Sequence, residues 1–247
     1  GSFIGAMHRQ AARLDDRYEV VSAVLSSDPD RCLSAGRELG LDEDRIHSDV
    51  SRMCAAEAAR EDGAEVAAIM TPNDSHLPFA KAALENGLDV ICDKPMTNTV
   101  AEAEELVQIV RDTGLVFCLT HNYTGYPMVK QARHMVRTGE LGDILKIVVE
   151  YPQGWLITAL EEEGQKQASW RTDPKRSGVS NCIGDIGSHC ENLAHYITDL
   201  EITDLCADLK SILNRPLDND GNILLHFEND ACGILFASQF SAGEENN

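Results

Sequence analysis

Apolar residues fall in two rhythms along the chain, and the change between them divides it. In the first half, short unbroken apolar runs at 66–70, 88–92 and 115–120 alternate with stretches of helical period at 50–60, 75–85 and 100–111. A further strand-like run covers 18–25, and helices are predicted over 6–14 and 28–39, the latter opened by Asp28 and Pro29 as cap and first-turn residue. Asn86-Gly87 marks a helix stop. Strands apolar on both faces belong inside a parallel sheet covered by helices, so this half predicts a doubly wound α/β domain.

The second half reads differently. Helices are expected over 126–138 and 186–198, a strand over 144–151, and a loop through 152–178. Three strand-like runs, 201–213, 222–227 and 231–239, follow one another across turns such as Asp220-Gly221 and Asn229-Asp230. Consecutive strands on short turns predict an open, mainly antiparallel sheet carrying helices on one face, an α+β domain. The expected domains are residues 1–122 and 123–247. Gly1 to Gly5 reads as the inside of a Gly-rich turn without its leading strand, and the chain stops just after a strand, so the sequence is expected to be a piece of a longer protein.

Composition narrows the partners. Forty-one acidic against 21 basic residues give a formal charge of -20, with no basic cluster, which argues against nucleic acid and anionic membrane. A dinucleotide remains compatible, because backbone N–H groups at a helix N-terminus hold phosphate without basic side chains. The longest apolar runs are too short to span a bilayer. Eight cysteines without a C-x-x-C pair suggest a reducing cytoplasm, with Cys92 and Cys118 as small buried hydrophobes. Cys182, Asp185, His189 and Cys190 do not have zinc-ligand spacing, and no metal is expected.

The candidate chemistry gathers at predicted strand ends. Thr71-Pro72-Asn73, Asp93-Lys94-Pro95 and His121-Asn122-Tyr123 each close an apolar strand, at the edge where open α/β sheets bind ligands. Asn73 or Asp74 can cap the helix that follows. Pro95 disfavours helix at Lys94, whose ammonium can hydrogen-bond a substrate oxygen as negative charge develops, and the Lys94–Pro95 bond is a candidate for the cis form. Asp185 and His189, four apart, share a helix face. An ionised Asp185 near the helix start can accept from backbone N–H groups, and His189 can act as general base at neutral pH. Each feature alone also fits a cap, a solvated lysine or a structural histidine.

Together, in this order and spacing, the motifs resemble the glucose-fructose oxidoreductase / inositol dehydrogenase (Gfo/Idh/MocA) family over nearly the whole chain. The usual family form of the lysine motif is Glu-Lys-Pro, so Asp93 is a conservative departure. The segment Trp170-Arg171-Thr172-Asp173-Pro174 also looks like the family's approach to its catalytic helix. The resemblance implies a Rossmann domain, then an α+β domain that often builds dimers or tetramers, and an NAD(P)-dependent oxidoreductase acting on a sugar or polyol. It implies Lys94, Asp185 and His189 as catalytic residues, with His121 and Tyr123 beside the substrate. It places the cofactor against Gly1, Phe3, Ile4, Ser26, Ser27, Arg31, Thr71, Pro72, Asn73, His76, Asp93, Lys94, Pro95, Asn122, Trp170 and Arg171. Asp28 favours NAD, while Ser26, Ser27 and Arg31 leave NADP as the alternative. Two other readings stay open: a glycoside hydrolase or lyase using NAD transiently, and a non-catalytic dinucleotide-sensing regulator.

Overall fold

In a computed structural model that describes residues 3–14 and 16–244, Val66–Ile69 (β1), Asp89–Asp93 (β2) and Phe117–Thr120 (β3) form a sheet in the order β1-β2-β3. β1 and β2 run parallel, from Val66↔Asp89 to Ile69↔Cys92. Parallel neighbours need crossovers. His76–Glu85 (α4) joins β1 to β2, and Val100–Thr113 (α5) joins β2 to β3. Ala80, Ala83 and Leu84 of α4 share a face at helical spacing and bury against Ile69, Val90 and Cys92. α5 opens on a complete capping box, Thr99 with Glu102. Gly87, at φ +82°, turns the chain out of α4 in a conformation that costs glycine nothing.

Ahead of this sheet lie Phe3–Arg13 (α1), Pro29–Glu38 (α2) and Val50–Ala58 (α3). Asp28 and Asp49 cap α2 and α3 by accepting from the N–H of Arg31 and Arg52. The strand expected over 18–25 does not form as a ladder. Among the described residues only Ala23 pairs, as an isolated bridge to Ile46, because extended backbone becomes a strand only where a neighbour supplies hydrogen bonds.

The chain divides into two units, Gly1–Thr71 with Ser75–Leu119, and Pro72–Asp74 with Thr120–Asn247. The second contains Pro127–Arg137 (α6), Lys146–Pro152 (β4), Lys166–Arg171 (α7), Pro174–Ser177 (α8), Ser188–Thr198 (α9), Ile202–Lys210 (β5), Asp220–Phe227 (β6) and Cys232–Ser238 (β7). Its sheet has the order β4-β7-β6-β5, with β4 and β7 parallel and the other pairs antiparallel. Along β6 buried and exposed residues alternate. Ile223, Leu225 and Phe227 point to one face, where they meet Ile186 and Cys190 and join Leu235 and Ala237 of β7 in one core. The other face is open, as the alternation predicts.

Three expectations are corrected here. The loop of 152–178 carries α7 and α8, nucleated by Gln165 and Asp173, whose side chains accept from N–H groups of the first turn. The helix expected at 186 starts earlier, as a π-helical turn Ile183–Gly187 that runs into α9. Cys118, on β3 at the edge of the described sheet, is exposed rather than buried. Cys92 does behave as a buried hydrophobe and Cys190 is buried too, their thiols pushed up to about 12 by burial. Among the described residues, no helix is long and apolar enough to cross a membrane.

Candidate active site

β2 ends where its ladder ends, and Asp93-Lys94-Pro95 occupies that end. The Lys94–Pro95 bond is cis. Asp93 Oδ1 lies 2.9 Å from Nε2 of His8 on α1. His76, 1% exposed at the first residue of α4, has Nδ1 2.7 Å from the Pro95 carbonyl and Nε2 2.9 Å from the Thr71 carbonyl. The ring of His76 therefore faces two strand ends. Ser75 Oγ donates to Thr71 Oγ1 at 2.6 Å.

Neither Asn73 nor Asp74 is the cap expected for α4. That helix is led by a 3-10 turn, Asn73–Ser75, which puts Ser75 at the cap position without a side-chain cap bond. Within the second unit, Asn73 instead donates to the Ser177 carbonyl at 3.3 Å, and Asp74 lies 3.7 Å from Arg176. Pro72 belongs to that unit as well.

The expected cofactor contacts of the first unit are compatible with a dinucleotide. Among the described residues the first turn of α1 carries no acidic side chain of its own, which suits an anion at its positive dipole end. Phe3 and Ile4 are in that turn, and Gly1 lies outside the described residues. Ser26 Oγ accepts from the Asp28 N–H at 3.1 Å, and the N–H of Arg31 goes to Asp28. Ser27, Asp28 and Arg31 are exposed.

In the second unit, the π-helical turn carries Asp185 and delivers His189 one turn later. Asp218, 8% exposed, fixes the start of that turn. Its carboxylate accepts from the N–H of Asn181 at 2.9 Å and of Ile183 at 2.8 Å, and its carbonyl from Cys182 at 3.1 Å. Three N–H groups without helical partners are thereby satisfied by one residue from a distant loop. The Asp185 carboxylate takes Arg171 Nε at 3.1 Å and Gln239 Nε2 at 3.5 Å. The sequence reading gave it helix N–H donors; these partners come from α7 and from the end of β7. Gln239 and Asn181, both nearly fully buried, exchange amide hydrogen bonds at 2.8 and 3.4 Å. The guanidinium of Arg171 lies 4.2 Å from the Trp170 ring and 5.9 Å from that of Trp155. Gln167 accepts from both Arg171 Nη1 and Trp170 Nε1.

His189 is 8% exposed and stands among aromatic rings. Tyr123 meets it edge-on, with centroids 4.6 Å apart, while His121 and Tyr151 are centred 6.2 and 6.1 Å away. The hydroxyls of Tyr123 and Tyr151 are hydrogen-bonded to each other. Burial, and then the bond to Tyr151, push the Tyr123 phenol well above its ordinary range, so it stays neutral. Asn122 opens a short 3-10 turn and is exposed. A buried imidazole with an anchored carboxylate one turn earlier is suited to moving a proton at a defined place. Among the described residues no group of three His, Cys, Asp or Glu is arranged to hold a metal ion.

Asp218, Gln239, Asn181 and Tyr151 were not found by sequence reading. They match no motif, and each acts across 28 to 58 residues of chain. Arg171 was found as a cofactor residue, and here it holds Asp185.

Two family models match. One, an oxidoreductase family with an NAD-binding Rossmann fold, covers residues 1–121, and the GFO/IDH/MocA C-terminal domain covers residues 129–247. The uncharacterized oxidoreductase YfiI of Bacillus subtilis is 33% identical over 98% of this chain and 63% of its own length. Levoglucosan dehydrogenase of Pseudarthrobacter phenanthrenivorans is 30% identical over 72% of this chain and 48% of its own. A crystal structure of an inositol dehydrogenase homolog from Azotobacter vinelandii, complexed with NADH and myo-inositol, superposes with a TM-score of 0.93 at 31% identity, covering all of this chain and 63% of that one. The chain thus spans less than two thirds of the length of these relatives. With both domain models matching in succession, the chain belongs to the GFO/IDH/MocA family of oxidoreductases.

Proposed function

We propose that the protein transfers a hydride between NAD and a hydroxyl-bearing or keto carbon of a sugar or cyclic polyol. The observation that carries this is the buried imidazole of His189 with Asp185 one turn ahead, its carboxylate anchored by Arg171. When bound, the nicotinamide supplies the hydride chemistry. His189 takes the proton of the reacting hydroxyl during oxidation and returns it during reduction. The Lys94 ammonium, at the end of β2, is suited to donate to a substrate oxygen and stabilise alkoxide character as it develops. Asp185, held by Arg171 and Gln239, accepts from a neighbouring hydroxyl and so orients a polyol ring. Tyr123, kept neutral, offers a further hydrogen-bonding edge beside His189.

Two relatives support the substrate class, since one is named for levoglucosan and the other was solved with myo-inositol, both rings rich in hydroxyls. Asp28 beside Ser26 and Ser27 puts a carboxylate near the expected ribose end, which favours NAD over a 2′-phosphorylated cofactor.

The test is reduced-cofactor absorbance with the full-length protein, NAD and NADP, and a panel of cyclic polyols and monosaccharides. Turnover should fall by about 10²–10⁴ in His189→Ala, the usual worth of a general base, and by a similar factor in Lys94→Ala. Dinucleotide binding without turnover would refute the dehydrogenase and favour transient-oxidation hydrolysis or a sensor.

A further inference from the structure

The two neighbours of Lys94 are each held by a histidine, and the two histidines come from different helices of the first unit. On one side, Asp93 Oδ1 is 2.9 Å from His8 Nε2, with both side chains 20% exposed. On the other, the Pro95 carbonyl is 2.7 Å from Nδ1 of His76, whose Nε2 also reaches the Thr71 carbonyl at the end of β1. Carboxylates and carbonyls can only accept, so wherever one of these bonds forms it is a ring N–H that donates. A neutral imidazole has one N–H, and the tautomer that carries it on Nδ1 donates it to the Pro95 carbonyl. Deep burial of His76 keeps water from replacing these bonds, so loss of the ring leaves carbonyls undersatisfied.

Lys94 is the first residue beyond β2, where ladder bonds no longer fix the backbone. A lysine side chain has four rotatable bonds, and where its ammonium reaches depends on how firmly its own Cα is held. Fixing the residue before it through a side chain and the residue after it through a carbonyl confines that Cα from both directions.

We propose that His8 and His76 are positioning residues for Lys94, joined to it through Asp93 and Pro95. This role rests on the reading of Lys94 as catalytic. His8 carries no family motif used above, and His76 acts on backbone through its ring.

The experiment pairs an assay that needs no turnover with one that does. Hydrogen exchange of the full-length protein, followed by mass spectrometry of the peptide covering residues 89–99, reads the order of the Lys94 turn directly. Steady-state kinetics on the best substrate of the panel reads kcat and KM. His8→Ala should speed exchange in that peptide and lower kcat by about tenfold with KM little changed, the signature of a misplaced transition-state group. His8→Gln keeps a donor for the Asp93 carboxylate and should recover most of both effects. His76→Phe keeps a ring of similar size without its donors and should show the same pair of changes; should it fail to fold, the two His8 variants decide. Exchange and kcat both unchanged in His8→Ala would overturn the proposal, as would either change without the other in an active parent. A parent that binds NADH but turns over nothing sinks the dehydrogenase reading by itself. In that case unchanged exchange in His8→Ala overturns the clamp, and faster exchange upholds it.

Discussion

Replacing Arg45 by Met should destabilise the first unit more than any surface change, and the structure sets the size. The Arg45 side chain is 7% exposed and its partner Glu57 1%. Arg45 donates to Glu57 through Nε at 3.2 Å and through Nη2, and to the Asp62 carbonyl at 3.1 Å. Without Arg45, the Glu57 carboxylate stays buried with neutral donors, the Ala64 N–H 3.0 Å away and the Ser22 side chain, in place of its cation. Breaking a buried pair from one side costs about 3–5 kcal/mol. At roughly 2–4 °C per kcal/mol for a chain of this size, Tm should fall by about 6–20 °C. The double variant Arg45→Met/Glu57→Leu should recover much of the loss, since apolar replacement of both partners removes the stranded charge. Thermal unfolding by circular dichroism measures all three proteins. The consequence reaches the proposed cofactor edge, because the Arg45 carbonyl accepts from the Ala23 N–H and Ser22 Oγ just ahead of Ser26 and Ser27. NADH affinity should therefore weaken in the single variant under conditions where it remains folded. A loss below about 1 kcal/mol, or a double variant no better than the single one, would refute the reasoning that a stranded carboxylate dominates.

The same pair predicts an acid dependence. Burial works to raise the Glu57 carboxyl, but hydrogen bonds from Arg45 and the Ala64 N–H outweigh it and hold the group below its ordinary range; at Glu161 the bonds from Arg215 lead in the same direction. A lowered folded value contributes stability above the ordinary Glu value of about 4.3, and that stability is lost as pH falls through the folded value. Tm against pH should drop less steeply below that point in Arg45→Met/Glu57→Leu than in the parent; parallel curves would contradict this. Asp218→Asn turns one acceptor of the π-turn into a donor facing a donor, so it should cost about 1.5–3 kcal/mol and lower kcat, and an unchanged Tm would show that the cap is dispensable. Gln239→Leu leaves buried Asn181 without its amide partner and removes one donor from Asp185; about 1–3 kcal/mol in urea unfolding is expected, with kcat reduced more than KM is raised.

Much of this protein was determined by local sequence. Unbroken apolar runs mark the strands of the parallel sheet, because a strand shielded by helices needs no regular polar face. Asp28 with Pro29, Thr99 with Glu102, and Gly87 place helix ends through bonds made within a few residues. The positions of Lys94, Asp185 and His189 were legible for the same reason, since strand ends and helix starts are where ladders and turns leave side chains and N–H groups available. What holds those residues was decided only by tertiary structure. Asp218 meets the π-turn across 35 residues, Gln239 meets Asp185 across 54, and His8 meets Asp93 across 85. No periodicity encodes such pairings, because the partners share neither a helix turn nor a strand register. The helices inside 152–178 were missed because their caps, Gln165 and Asp173, precede segments too short for a hydrophobic period to show. Residues 18–25 were misread for the opposite reason: their composition suits a strand, but a strand exists only where a second chain segment completes its hydrogen bonds.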